Sequence, residues 1–123
     1  MNTRTEGEVN ILIVFDESSK EYIGICPEFA MVKYADNLQE LKLDMINGSR
    51  AYVTAVVEND MPHELLNRSE ELPEKFQILY NAFTERMEKK KNTPLFDKLP
   101  TKFKTAIESG DAYMMVPTLV GCK

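Results

Sequence analysis

The sequence predicts an α+β fold: a small, mostly antiparallel sheet of three N-terminal strands plus a C-terminal strand, packed by one long helix and carrying a helical insertion. Three observations lead there. Between Val9 and Tyr34, β-branched and aromatic residues come in short runs separated by polar or proline breaks, the pattern of a strand meander. From Asn37 onward the apolar residues recur at steps of three and four, which is a helix period. Residues 61–110 return to that period after a polar connection, and residues 111–120 return to a β-rich composition. A chain of 123 residues is of single-domain size and can bury a core without disulfides. The expected partition is one domain over 1–123, with a core over 8–59, a mainly helical insertion over 61–110 and a terminal strand over 111–120.

The first strand is expected over Val9–Asp16, where Val9, Ile11, Ile13 and Phe15 make one dry face and Asn10 and Asp16 flank Leu12 and Val14 on a mixed one. That alternation asks for a helix on one face. Asp16 to Lys20 is a polar loop that can close a hairpin to Glu21–Cys26. Pro27 lacks an amide donor, so the second strand must bend there, and Met31–Tyr34 resumes the sheet. Asn37 is a good helix N-cap, and Glu40 stands three residues later, at capping-box spacing. Leu41, Met45, Gly48, Tyr52 and Ala55 form the expected inner stripe, with Gly48 marking a close approach of helix and sheet. The resulting core expectation is Ile11, Ile13, Phe15, Ile23, Ile25, Leu41, Met45, Tyr52 and Val56, one helix against one sheet.

After Asp60 comes a connection with a short turn expected at Glu64–Leu66. Pro73 suits a first helical turn, and Phe76, Leu79, Tyr80, Phe83 and Met87 are the apolar stripe of a helix over 74–91. Leu95–Leu99 reads as one turn. Thr101–Ser109 reads as a short helix with Phe103, Ala106 and Ile107 inward and Gly110 as its C-cap. In the terminal strand Pro117 confines the chain to an edge or a bulge. Tyr113, Met115 and Leu119 are apolar for an open edge, so this strand or the helix over 74–91 is expected to form a homodimer contact.

The acidic turn at Asp16, Tyr22, the Cys-Pro-Glu-Phe element and the Asp-Asn-Leu-Gln-Glu-Leu helix start together resemble the HicB antitoxin family. That family's pattern is an acidic turn, a Tyr-x-Ala-x-x-Pro-Glu-Leu strand and a Gly-Asp-Thr-x-x-Glu-Ala helix start. Asp16, Tyr22, Pro27, Glu28, Asp36 and Glu40 stand at matching places, while Ala35, Asn37 and Leu41 depart from it. The resemblance covers less than half of the chain, and residues 61–110 are longer than the family's usual connection. It implies a truncated ribonuclease H-like sheet and an antitoxin that covers the active site of a small basic ribonuclease toxin. Asp16, Glu17, Glu28, Asp36 and Glu40 are the expected partner-binding residues. The alternative is a HicB-like small-ligand-binding or metal-dependent nuclease domain, since fold does not fix function.

Charge agrees with a basic partner. Residues 1–83 hold seven Lys/Arg against fifteen Asp/Glu, and residues 84–104 hold seven against three, so an acidic body adjoins a basic segment. The acidic body favours a basic protein through steering and complementarity, and it equally serves solubility. The basic run Arg86, Lys89, Lys90, Lys91, Lys98, Lys102 and Lys104 reads as a solvated helix end, because no helix-turn-helix or other nucleic-acid motif accompanies it. No apolar stretch reaches membrane-span length and Met1–Gly7 is polar, which points to the cytoplasm. Cys26 and Cys122 form no CxxC and suit free thiols. Chemistry is thin: no phosphate loop implies a cofactor, and His63, the single histidine, reads as a surface residue. The carboxylates Asp16, Glu28, Asp36, Glu40 and Asp44 admit a two-metal reading, but helix-start acids already have a structural role, so neither metal nor catalytic residues are expected.

Overall fold

The computed structural model describes residues 9–62, 68–89 and 94–117. Their elements are β1 (Ile11–Asp16), β2 (Glu21–Cys26), β3 (Met31–Ala35), α1 (Leu38–Glu58), α2 (Glu74–Lys89), α3 (Pro94–Asp97), α4 (Thr101–Ser109) and β4 (Ala112–Met115). The expected turn at Glu64–Leu66, together with His63, Lys90, Lys91, Leu119 and Cys122, lies outside the described residues. No helix among the described residues is long and apolar enough to cross a membrane.

Local chemistry places the breaks. Pro27, Glu28 and Phe29 turn as a 3-10 helix that Ala30 ends in the left-handed region, at φ 53°. The proline therefore converts the strand into a corner, and β3 starts immediately beyond it. Asn37 caps α1 by accepting the Glu40 amide at 2.9 Å. Gly110 closes α4 at φ 89°, where a side chain would be strained.

The sheet is antiparallel throughout, in the order β3-β2-β1-β4. Strands β1 and β3 consequently run the same way and β4 runs opposite to both. A crossover through α1 alone would have returned parallel to β3. Passage through a second helical layer reverses the chain before it pairs with β1. Both edges, β3 and β4, are open among the described residues.

Register decides which side chains share a face. Ile13 stands opposite Gly24, Leu12 opposite Ile25 and Val14 opposite Ile23. Ile11 and Ile13 thus face α1 with Leu41, Met45, Val53 and Val56. Leu12, Val14, Ile23 and Ile25 face the other way, into Phe76, Leu79, Phe83, Phe96, Leu99 and Ile107. The sheet is a shared wall between two cores. This corrects the one-helix core in two respects: Ile23 and Ile25 belong to the second core, and the face expected to be mixed is dry because α2–α4 cover it. Phe15, placed in the core by the sequence, is only half-buried at the end of β1, where its ring meets Tyr22 at 5.0 Å.

The inner stripe of α1 is also shifted. Its buried residues are Leu41, Met45, Ser49, Val53 and Val56, while Gly48 and Tyr52 are half-buried and Ala55 is exposed. In α2 the buried positions are Phe76, Leu79, Ala82 and Phe83, and Met87 is exposed.

The close approach of helix and sheet occurs at a different glycine. A Cβ on Gly24 would lie 2.8 Å from Met45 Cγ and 2.9 Å from its sulfur, and Met45 is fully buried. A Cβ on Gly48 would meet only the Met31 sulfur at 3.3 Å and Lys33 Cε at 3.4 Å, the far ends of side chains that can move. Gly24→Val should therefore lower stability by about 1–3 kcal/mol through overpacking. Gly48→Ala should be neutral or stabilising by up to about 1 kcal/mol through helix propensity. Urea unfolding of both variants is the check, and equal losses at the two positions would contradict this packing.

Candidate functional site

The five carboxylates singled out in the sequence are split by the topology. Asp16 ends β1 opposite Glu21, and the same end of the sheet carries Ala35, the hairpin loop and the start of α1. Asp16, Glu17, Asp36 and Glu40 therefore gather at one end. Glu28 follows Cys26 at the other, roughly 15–20 Å away along a strand. Carboxylates so far apart cannot share a metal pair, whose ions stand about 4 Å apart. Among the described residues no three His, Cys, Asp or Glu side chains converge as a cation site requires.

Asp16 is 7% exposed and inward-facing. Its carboxylate accepts the Ser18 amide at 3.0 Å and the Ser18 hydroxyl at 2.7 Å. Lys102 of α4 donates to it at 3.1 Å and to Ser18 Oγ at 2.8 Å. Burial pushes the Asp16 carboxyl up, but the hydrogen bonds from Ser18 and the Lys102 ammonium outweigh burial and hold it below its ordinary value. The residue thus ties the hairpin to the second helical layer.

Glu28, also 7% exposed, does the same at the far end. Its Oε2 accepts Asn10 Nδ2 at 3.0 Å and the Asn10 amide at 3.3 Å, and Cys26 Sγ lies 3.6 Å from its Oε1. Its carbonyl accepts the Arg68 amide. Arg68 in turn pairs with Glu71 and donates to the Tyr52 hydroxyl at 3.2 Å. Burial, followed by the Glu28 charge, pushes the Cys26 thiol up to about 12. That sulfur is protonated and unreactive at neutral pH. A cleft of about 300 Å³ with mixed lining opens beside Glu28, bordered also by Leu72, Gln77, Tyr80 and Asn81.

Three of the five expected residues remain exposed: Glu17, Asp36 and Glu40. Glu17 pairs with Lys20 across the turn. Asp36 precedes the N-cap of α1 and Glu40 lies in its first turn, where a negative charge complements the helix dipole. Asp44, one turn further on, is exposed as well. The reassignment of Asp16 and Glu28 has one cause: each meets a residue distant in sequence, Lys102 and Asn10 respectively, that satisfies it internally. Arg68 and Tyr52, which dock the segment after α1, carry no sequence motif that would have marked them.

The basic run does not act as a block. Arg86 pairs with Glu108 at 3.1 Å and lies over the Phe96 ring, Lys102 is held by Asp16, and Lys98 lines a cleft on the helical side. Comparison of the chain with protein-family models, with curated proteins and with solved structures gives no match. Fold and site together define an α+β protein whose exposed acidic end is built from a hairpin turn and a helix start.

The depressed carboxyl of Asp16 sets a pH dependence. A folded value below the unfolded one contributes stability that is complete above the unfolded value near pH 4 and drains away as pH falls through the folded one. Asp16→Asn should cost about 1–3 kcal/mol at pH 7 by leaving Lys102 and Ser18 poorly matched. It should also flatten the loss of stability between neutral pH and pH 3. Urea unfolding at the two pH values tests this, and an unchanged acid sensitivity in the variant would show that Asp16 is not the group responsible.

Proposed function

We propose that this chain is a HicB-like antitoxin that binds and neutralises a small basic ribonuclease toxin. The observation that carries the reading is the gathering of Glu17, Asp36 and Glu40, all exposed, at one end of the sheet. A strand–hairpin–corner–strand unit followed by an Asn-capped helix supports it, because that order is what the resemblance implies. Opposed charge steers encounter and sets register more than it sets raw affinity, which suits an acidic end meeting a basic nuclease.

The chain is also read as a homodimer joined through β4. That strand pairs with β1 on one side only, and Val116 beyond it is exposed. An open edge of this kind is a template for a second strand.

Co-purification with the small basic ribonuclease encoded beside its gene is the test. The complex should form, suppress RNA cleavage and weaken with rising salt, and light scattering should give two antitoxin chains per assembly. Combined Glu17→Lys, Asp36→Lys and Glu40→Lys changes should slow association by about tenfold or more and abolish most of the salt dependence. They should leave folding nearly unaffected, since exposed charges contribute little to stability. Wild-type association by the triple variant would remove this surface from the interface. Metal-dependent RNA cleavage by the purified chain alone would overturn the antitoxin reading.

A further inference from the structure

On the helical side of the sheet lies a second cleft, of about 270 Å³, which includes Asp16 but none of the exposed acidic residues Glu17, Asp36 and Glu40. Its floor is apolar, from Ile23 of β2, Phe76 of α2, Leu99 just before α4 and Phe103 in its first turn. Tyr34 of the edge strand β3 forms one wall; it is 48% exposed and stands edge-on to Phe76 at 6.5 Å between ring centres. A flat apolar group can rest against such rings, where offset and edge-to-face contacts are favourable.

The rim has the opposite sign to the rest of the chain. Lys75, Lys98 and Lys102 all border the cleft, against Asp16 as its one carboxylate. Asp16 is already neutralised by Lys102 at 3.0 Å. Lys75 lies over the Phe76 ring at 5.1 Å, and neither Lys75 nor Lys98 has a carboxylate partner among the described residues. Two ammonium groups without a carboxylate partner beside an aromatic floor give this cleft a positive rim in a protein of net charge −5. No side chain caps α4, whose first residues border the same cleft, so its positive end adds to the lysines.

We propose that this cleft binds a small aromatic carboxylate, a single ring with a short acid arm. The ring lies against the apolar floor of Phe76 and Phe103 beside Tyr34, and the carboxylate reaches Lys75 and Lys98. The volume of about 270 Å³ accommodates a single ring with a short arm. The proposal is independent of the antitoxin reading: the cleft involves none of the exposed acidic residues and is tested on the chain alone.

The test is titration of the full chain with phenylacetate, its uncharged isostere phenylacetamide, and acetate, followed by amide NMR. Phenylacetate should give saturable shifts centred on Tyr34, Lys75, Phe76 and the segment 98–103, with Kd about 1 mM, the range open to a ligand of about ten atoms. Phenylacetamide and acetate should bind at least about tenfold more weakly, because one lacks the charge and the other the ring. Lys75→Gln with Lys98→Gln should weaken phenylacetate by about tenfold while leaving the remaining spectrum in place, which shows that the variant is folded. Unsaturable or scattered shifts, equal binding of the amide, or wild-type affinity in the double variant would each overturn the proposal.

Discussion

Ile11, Leu12, Ile13 and Val14 are all withdrawn completely from water, and in a strand this means that two faces must be covered at once. An antiparallel sheet can leave one face solvated. Here four consecutive apolar residues on β1 forbid it. Full burial of each such side chain is worth about 1.5–3 kcal/mol, so neither helical layer can be lost cheaply. Helix α1 covers Ile11 and Ile13, and the α2–α4 layer covers Leu12 and Val14. The direction of β4 follows as well, since the chain crosses a second layer before it returns to pair with β1.

With both faces closed, polar chemistry is left to the ends and edges of the sheet. At each end one carboxylate is drawn inside to join elements distant in sequence: Asp16 joins the hairpin to α4, and Glu28 joins the corner after β2 to Asn10 just before β1, while its carbonyl meets the Arg68 amide. These two residues are fastenings. The acidic residues available to a partner are those that local structure pushes outward, on the turn and at the helix start. The basic segment is similarly divided between internal ion pairs and the rim of a cleft, so the net charge of a stretch says little about what its individual groups meet.

Much of the fold was legible because its signals are local. Pro27 as a corner, Asn37 as a cap, Gly110 as a stop and the limits of β2 and α4 each depend on a few neighbouring residues. What failed were assignments that need a distant partner. Period-two alternation separated Ile13 from Leu12 but could not say that a second layer would cover Leu12. The α1 stripe was misplaced because Gly48 and Ala55 counted as apolar and Ser49 as polar, whereas the small Ser49 is fully buried. Gly24 looked like any strand glycine, since its meaning lies in Met45 across the helix–sheet contact. Of the expected partner-binding residues, Glu17, Asp36 and Glu40 are exposed, whereas Asp16 and Glu28 are turned inward by contacts with residues distant in sequence.

The central claim is that β1 is a wall shared by two cores that fold as one unit. Native-state hydrogen exchange of the full chain tests it most directly, because it resolves whether parts of a protein open separately. The amides of Ile11 to Val14 and those inside α2, around Leu79 to Phe83, should exchange through the same highest-energy opening, with equal sensitivity to denaturant. If the α2 amides instead exchanged through a much cheaper opening while β1 kept its full protection, the second layer would be an accessory and the shared wall would be wrong.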